Sequence, residues 1–170
     1  MRQAQTDEFL EFATARGTQL YRSACLLTGG DVHLAEDLVQ EALGRMYANW
    51  RRVSGAQNPA AYAHTVLVRA FLSYRRRRSS GESPVADLPD LVSASAPDDP
   101  ELRIALLAAL GKLSARDRAV VVLRYWEDRS VEETGAILRM TAGVVRAACS
   151  RALTRLRGVL GTSLGDFAQH

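Results

Sequence analysis

The residues of this sequence best suited to bind a ligand are the arginines near its carboxyl end. Between Thr141 and Leu164 the chain has no acidic residue, and arginine stands at positions 146, 151, 155 and 157. A guanidinium group donates paired hydrogen bonds to phosphate oxygens and to the O6 and N7 atoms of guanine. The composition therefore favours a helix that contacts nucleic acid, although a solvent-exposed basic helix in an ordinary bundle would share it.

Two predicted helices position these arginines. Ser130 followed by Glu133 is a capping box that predicts a helix start, and Thr141 can cap the next helix through its hydroxyl. The connection between them is short, at Arg139 and Met140. This arrangement is typical of a helix-turn-helix, whose second helix enters the major groove of DNA. The second helix has one apolar stripe at helical spacing, made of Val145, Cys149, Ala152, Leu156 and Val159.

Composition and charge limit the fold class. The chain has 170 residues, of which 47% are hydrophobic and 6% aromatic, and its apolar residues recur with helical period, so we expect an all-α protein. From Ser79 to Glu101 there are six acidic residues and no basic one, which leaves 22 basic against 13 acidic side chains elsewhere. Basic domains joined by an acidic connector favour a polyanionic partner for the domains.

The helical patterns divide the chain into two small helical domains. Three helices are predicted in the first, at about Thr6–Leu27, Val32–Trp50 and Pro59–Arg78, with a polar loop at Arg51–Gln57. Four helices are predicted in the second, at about 101–110, 115–126, 131–138 and 142–160. The expected architecture is a first domain at 1–78, an acidic flexible linker at 79–100, a second domain with the helix-turn-helix at 101–160, and a tail at 161–170.

Several kinds of chemistry have no support in the sequence. Cys25 and Cys149 are isolated on apolar helix faces, which predicts two reduced, buried thiols instead of a disulfide or a metal site. The three histidines are scattered, and no catalytic motif or phosphate-binding glycine loop occurs. We therefore expect no enzyme activity, catalytic residue, metal, cofactor or small-molecule substrate. No apolar run is long enough to span a bilayer, so we expect a cytoplasmic protein without membrane insertion.

With these segments identified, the chain resembles the extracytoplasmic-function (ECF) RNA polymerase sigma factors of the sigma-E-like kind, the small two-domain class of bacterial polymerase specificity subunit. The polymerase-binding helix of that family is similar to AEDLVQEALGRMYANW at 35–50. Its promoter −10 segment is similar to NPAAYAHTVLVRAFLSYRRRR at 58–78. Its −35 domain is similar to LSARDRAVVVLRYWEDRSVEETGAILRMTAGVVRAACSRALTRLR at 113–157.

The resemblance implies core RNA polymerase and promoter DNA as partners. On the polymerase, the family docks on the clamp helices of the largest subunit and on the flap. The resemblance implies that one exposed helix face contacts the clamp helices. This face carries four residues, separated by three, one and four positions in the sequence: Asp37, Gln40, Glu41 and Arg45. An anti-sigma factor is a further partner that the family admits, and the acidic linker can mimic nucleic acid or act only as a solubilising tether.

The resemblance also implies two sets of DNA-contacting residues. The −10 set is Arg51, Arg52, Asn58, Tyr62, His64, Thr65, Arg69, Ser73, Arg75, Arg76 and Arg77, with Arg78 completing the basic run. The −35 set is Thr141, Gly143, Val144, Arg146, Ala147, Arg151 and Arg155.

Some of these positions carry further expectations. From the apolar pattern, we expect Tyr62 in the core, with Val66 and Phe71, and His64 as a solvated helix residue. Arg69 stands where many relatives carry asparagine, so the base preference at the −10 element is left open. Ala148 stands where relatives often carry a basic residue, and this departure is expected to weaken base recognition.

The sequence therefore predicts a sigma factor that directs promoter-specific initiation through −10 and −35 contacts. Two alternatives remain open. One is an autonomous helix-turn-helix transcription regulator, which would need a dimer and a palindromic site. The other is a degenerate sigma-like protein that binds polymerase or an anti-sigma factor without initiating transcription.

Overall fold

Helices account for nearly all of the structure, a computed structural model that describes residues 2–79 and 100–161. No β-strand occurs within these two ranges, which confirms the all-α prediction. The N-terminal unit contains α1 (Gln3–Leu27), α2 (Val32–Ala48), α3 (Trp50–Val53) and α4 (Pro59–Ser79). The C-terminal unit contains α5 (Pro100–Lys112), α6 (Ala115–Val121), a π-helical turn (Val122–Trp126), α7 (Val131–Leu138) and α8 (Ala142–Leu160). The predicted linker and tail lie outside the described residues, apart from Ser79, Pro100 and Gly161.

The N-terminal unit is a bundle in which α1, α2 and α4 pack on one another. Its core contains the fully buried side chains of Leu20, Met46 and Phe71. Burying a side chain of this size contributes about 1.5–3 kcal/mol relative to leaving it exposed. Trp50 closes one end of this core, with its ring centroid 5.4 Å from that of Phe9 in an edge-to-face arrangement.

The turn between α1 and α2 follows the predicted glycine and cap signals. Gly29 and Gly30 both have positive φ, at 68° and 96°, a conformation that glycine adopts without strain. The Gly30 N–H donates to the Cys25 carbonyl at 2.9 Å, which satisfies a carbonyl at the end of α1. Asp31 then caps α2 by accepting a hydrogen bond from the Leu34 N–H at 3.1 Å.

Two predicted helix boundaries in the N-terminal unit were wrong. α1 begins at Gln3 instead of after Thr6, because the Gln3 side chain donates to Asp7 at 2.9 Å and so supports one more turn. α2 ends before Trp50, because the side chain of Asn49 donates to the Arg45 carbonyl at 2.9 Å and stops the helix. Part of the predicted polar loop after Trp50 is consequently the helical turn α3.

The predicted burial of Tyr62 was also wrong. The buried stripe of α4 begins at Ala63 and continues through Val66 and Phe71. Tyr62 lies one position outside that stripe and is 39% exposed.

Both cysteines are buried, as predicted, and burial raises the pKa of the Cys25 thiol.

The helix-turn-helix of the C-terminal unit has the predicted caps. In the capping box of α7, the Glu133 N–H donates to Ser130 Oγ at 3.0 Å, and the Ser130 N–H donates to Glu133 Oε1 at 3.1 Å. Arg139 ends α7 in the left-handed conformation, with φ 57° and ψ 50°. Thr141 Oγ1 accepts from the Val144 N–H at 3.2 Å and caps α8.

The two units pack against each other in this structure. α1 contacts α5, α6 and the π-helical turn, while α4 contacts α6 and α7. A Cβ on Gly29 would lie 3.1 Å from the Gly111 Cα, so the ends of α1 and α5 meet almost backbone to backbone. The predicted single helix over 115–126 changes to π-helical hydrogen bonding after Val121; the Glu127 N–H donates to the Val122 carbonyl at 2.9 Å.

Candidate nucleic-acid interface

One side of α8 is a continuous exposed surface with the residue types that DNA binding requires. Its apolar stripe packs inward at Val145, Ala152 and Leu156, which are almost fully buried. The stripe was predicted to include Val159, but that residue is 48% exposed. The opposite side has no acidic residue, and its basic groups face solvent. The exposed positions include all seven residues of the expected −35 set: Thr141, Gly143, Val144, Arg146, Ala147, Arg151 and Arg155.

Ala148 does not belong to the exposed surface of α8. Its relative exposure is 0%, because it lies on the buried side of α8 between Val145 and Ala152. A side chain at this position points toward the core of the C-terminal unit and away from a DNA groove. Alanine here therefore removes no side chain from the exposed surface of α8.

Arg151 is held in place by a carboxylate that the sequence analysis did not identify. Asp117 of α6 is buried and accepts hydrogen bonds from Arg151 Nη2 at 2.8 Å and from Nε at 3.0 Å. These two bonds and the charge of Asp117 raise the pKa of the Arg151 guanidinium. The paired geometry orients the guanidinium and leaves its remaining N–H groups at the exposed surface of α8.

The expected −10 residues are distributed along α3, the following loop and α4. Asn58 caps α4, since its Oδ1 accepts from the Ala61 N–H at 3.0 Å. Thr65 Oγ1 donates to the Ala61 carbonyl, and Ser73 Oγ accepts from Arg77 Nη1 at 3.2 Å. The exposed members are Arg51, Arg52, Asn58, Tyr62, Arg69, Arg75, Arg76 and Arg77, whereas His64, Thr65 and Ser73 are partly buried.

Two of these α4 residues contact the C-terminal unit. Arg69 Nε donates to the Ile137 carbonyl of α7 at 3.4 Å. His64 Nδ1 contacts the carboxylate of Glu127 and its side chain is largely buried, so the expectation of a solvated His64 was wrong. The C-terminal unit therefore contacts two of the α4 residues that the resemblance assigns to DNA, while most of that set is exposed.

A basic cleft lies beside these contacts, between α4 and the start of α6 and the end of α7. Its volume is about 990 Å³. Among the described residues, the only acidic group lining it is Asp31, whose carboxylate also caps α2. Such a surface attracts anions, most strongly at low ionic strength. Seven arginines line the cleft: Arg45, Arg69, Arg75, Arg76, Arg78, Arg116 and Arg139.

The expected polymerase-binding face of α2 is exposed on the opposite side of that helix from its buried residues. Asp37 and Gln40 are exposed, and Glu41 is half-buried. Glu41 accepts a hydrogen bond from Arg45 Nη2 at 2.7 Å, four residues along the helix. The face therefore presents the Asp37 carboxylate, the Gln40 amide and the Glu41–Arg45 ion pair. This combination suits a polar protein contact more than a phosphate contact.

Arg118 is the main residue of the interface between the units, and the sequence analysis did not identify it. Its relative exposure is 3%, and Nη1 donates to the Leu27 carbonyl at 2.7 Å. Nη2 donates to the carbonyls of Gly111 and Leu113 at 3.1 and 3.0 Å. Burial and the nearby charge of Arg75 lower the pKa of Arg118 to about 10, so the group is still charged at neutral pH. In the sequence it stands beside Asp117 and Arg116, at the start of the apolar run 119–123, and nothing in that pattern distinguishes it from an exposed arginine.

The described residues show no group of three or more histidine, cysteine, aspartate or glutamate side chains arranged to hold a metal ion. Within the same ranges, no helix has the length and apolar character needed to cross a membrane.

Comparison with known proteins agrees with this arrangement of helices. Residues 13–81 match the sigma-70 region 2 family, and residues 109–158 match the sigma-70 region 4 family. The RNA polymerase sigma-E factor of Streptomyces coelicolor is 38% identical over 150 residues, which cover 88% of this chain and 84% of that protein. The sigma-E factor of Streptomyces antibioticus is 36% identical over 162 residues, covering 95% and 89%.

A solved structure has the same fold. It is the co-crystal structure of the sigma factor RpoE with the anti-sigma factor NepR from Bartonella quintana, which matches with a TM-score of 0.70 at 26% identity. The match covers 91% of this chain and 98% of that one. Two sigma-70 regions in order, relatives above 30% identity over most of this chain and the shared fold lead to one conclusion: the chain belongs to the ECF RNA polymerase sigma factors, which direct promoter-specific transcription initiation.

Proposed function

We propose that this chain carries out sigma activity by dividing its contacts among three surfaces. The first, on α2, binds core RNA polymerase. The second, on α3 and α4, captures the melted −10 strand. The third, on α8, binds the −35 duplex. The corresponding division of the chain is 1–78 for the first two surfaces, 79–100 for the linker and 101–160 for the −35 domain.

The observation that best supports this proposal is the surface of α8. All seven expected −35 residues are exposed on a helix whose other side is buried, and the helix begins at the Thr141 cap. In a helix-turn-helix, the N-terminal residues of the second helix contact base edges. Arg146 and Val144 stand at that end; they can donate to guanine and contact a thymine methyl group. Arg151 and Arg155, farther along the helix, suit phosphates.

The −10 surface is supported by its charge and by its exposed aromatic residue. Single-stranded DNA requires cations along its backbone and a flat group on which a base can stack. Arg75, Arg76 and Arg77 provide the cations near the end of α4, and the exposed ring of Tyr62 provides a stacking group. The exposure of Tyr62 thus makes it a better candidate for base contact than the sequence pattern suggested.

The polymerase surface is assigned by its position and polarity. Asp37, Gln40, Glu41 and Arg45 would contact the clamp helices of the largest subunit, and the −35 domain would contact the flap. We also propose an anti-sigma factor as a partner, since the matched RpoE structure contains one. The expected site of action is the cytoplasm, and the expected role is a specificity subunit without catalytic chemistry of its own.

Run-off transcription tests this proposal. Purified core polymerase is incubated with a pool of genomic fragments, with and without the protein. We expect new, discrete start sites whose upstream sequences align into −10 and −35 elements. Polymerase binding without new starts would instead support a sequestering protein, and absence of polymerase binding would contradict the assignment.

A further inference from the structure

Asp117 connects the buried side of α6 to the proposed −35 surface of α8. It is buried and cannot contact DNA itself, whereas the side chain of its partner Arg151 is 57% exposed. Oδ1 of Asp117 accepts from Arg151 Nη2 at 2.8 Å, and Oδ2 accepts from Nε at 3.0 Å. We propose that Asp117 is a positioning residue for −35 binding, which holds the Arg151 guanidinium in the orientation that binds a DNA phosphate. This inference deepens the proposed function of α8 and rests on it.

The geometry of the pair leaves one complete donor edge of Arg151 available. A guanidinium carries five N–H groups in one rigid plane, and two of them, on Nε and Nη2, bond to Asp117. The second N–H of Nη2 and one N–H of Nη1 run parallel at the end of the side chain. This parallel pair fits two oxygens of one phosphate. Because the group is planar and rigid, the carboxylate on one edge sets the direction of the donors on the other.

Arg151 stands where α8 is expected to meet the DNA backbone. Four residues of the −35 set share one exposed face of the helix, separated by three, four and four positions: Val144, Ala147, Arg151 and Arg155. Arg151 lies about 7.5 Å farther along the helix axis than Arg146, beyond the N-terminal end that reaches base edges. A phosphate contact at this point fixes how α8 lies in the groove without recognising a base.

The carboxylate of Asp117 is itself held on a rigid part of the fold. The Asp117 N–H donates to Ser114 Oγ at 3.1 Å, in the cap of α6. The next residue, Arg118, is buried and donates to two carbonyls near the end of α5. These bonds fix the backbone at the start of α6, and α6 packs against α8. The Arg151 side chain is therefore ordered when the protein folds, so that DNA binding does not have to supply the cost of ordering it.

Charge and orientation predict opposite effects for Asp117. A carboxylate close to DNA repels phosphate, so the loss of its charge alone should raise affinity for DNA. Loss of orientation should lower affinity, because DNA must then order the Arg151 side chain itself. Asp117→Asn keeps the shape of the side chain and removes the charge, so the sign of its effect separates the two. We expect affinity for duplex DNA to fall by about twofold to tenfold.

The main test is a double-mutant cycle on the full chain. Fluorescence anisotropy measures affinity for a labelled random-sequence duplex, which reports phosphate contacts without requiring the promoter sequence. Asp117→Asn is combined with Arg151→Ala and, as a matched control, with Arg155→Ala. Arg155 is exposed on the same face of α8, and within residues 100–161 it makes no hydrogen bond to Asp117. We expect Asp117→Asn to weaken binding in the wild type and in Arg155→Ala, but not in Arg151→Ala.

Two further variants separate orientation from charge. Arg151→Lys keeps the positive charge but lacks the planar fork, so it should lose about as much affinity as Asp117→Asn. Glu132→Gln removes a negative charge from an exposed position of α7, and its affinity should stay level or rise. Arg151→Ala should reduce the slope of log K against log salt by about 1 in magnitude, whereas Arg151→Lys should keep the wild-type slope. Urea unfolding followed by circular dichroism establishes that each variant is folded, and Arg151→Lys keeps the test valid if Asp117→Asn unfolds.

The coupling between the two residues decides the result. If Asp117→Asn raised affinity as Glu132→Gln does, or weakened binding equally with and without Arg151, Asp117 would not position Arg151. An Arg151→Lys protein with wild-type affinity would also overturn the proposal. An Arg151→Ala protein with wild-type affinity would overturn both the proposal and the place of Arg151 in the −35 set. Run-off transcription would still decide sigma activity, independently of this pair.

Discussion

The turn between α7 and α8 yields a quantitative prediction for Gly135. A Cβ on Gly135 would lie 2.5 Å from the Met140 carbonyl oxygen and 3.7 Å from a methyl carbon of Val145. The first distance is far below van der Waals contact, so the backbone would have to move. The Met140 N–H donates to the Gly135 carbonyl at 2.9 Å, and the same movement would disturb that bond. Gly135→Ala should therefore distort the helix-turn-helix connection.

The expected change in the free energy of unfolding of Gly135→Ala combines one stabilising and two destabilising effects. Alanine is favoured over glycine inside a helix by about 1 kcal/mol. Forcing an extra carbon into a packed site costs about 1–3 kcal/mol, and weakening the Met140 hydrogen bond costs about 1 kcal/mol more. The expected net loss in the free energy of unfolding is about 1–3 kcal/mol. Affinity for −35 duplex DNA should also fall, because α8 would be reoriented.

Gly143→Ala is the matched control within the same motif. An added Cβ there meets no atom within 4 Å, and the residue lies in the first turn of α8. Its stability should stay level or rise by up to about 1 kcal/mol. Urea unfolding followed by circular dichroism measures both variants, with equal slopes required for the comparison. If Gly135→Ala matched or exceeded the wild-type stability, the close approach of α7 to the turn would be refuted.

Three further predictions concern the binding surfaces and the α7 cap. Replacing Asp37 and Glu41 with alanine should lower affinity for core polymerase in a pull-down titration without changing helicity; undiminished binding would rule out this face. Arg146→Ala should cost about 1–3 kcal/mol at one base position of the −35 element in a binding assay across variant duplexes, whereas equal weakening at every sequence would identify a phosphate contact. Hydrogen bonds from Ser130 and Arg129 lower the pKa of the Glu133 carboxyl. The ionised carboxylate therefore stabilises the folded protein at any pH above the pKa of Glu133 in the unfolded chain. This stabilisation disappears as the pH falls through the pKa of Glu133 in the folded protein. The stability difference between wild type and Glu133→Gln, measured by urea unfolding, should therefore shrink at acid pH, and a difference that did not vary with pH would contradict the role of the charge.

The caps and turns were predictable because each depends on residues close together in the chain. The capping box joins Ser130 to Glu133, and Thr141 and Asp31 each accept from an N–H three residues ahead. Such contacts form whenever the local backbone is helical, whatever packs around it. The order of helices and the exposed basic side of α8 follow from the same local signals together with the apolar period.

Predictions of burial and of helix ends failed where the spacing of residues along a helix was compatible with two outcomes. Tyr62 lies four positions before Val66, a spacing that places both on one helix face, yet Val66 is at the edge of the buried face and Tyr62 lies just beyond it. Asn49 has ordinary spacing for a helix interior, but its side chain bonds to the Arg45 carbonyl and ends α2. The first outcome depended on packing by neighbouring helices, and the second on a side-chain bond within α2 itself.

The sequence alone determined that this protein is all-α with a capped helix-turn-helix and a basic α8, because periodicity, caps and charge act over a few residues. The sigma-factor family came from the resemblance of three segments to known proteins. Only the tertiary structure decided which polar groups meet across long separations. Arg118 bonds to a carbonyl 91 positions away, and Arg151 pairs with a carboxylate 34 positions away. These contacts depend on how whole helices pack, and packing is set by the sum of many weak apolar contacts that no single residue pattern encodes.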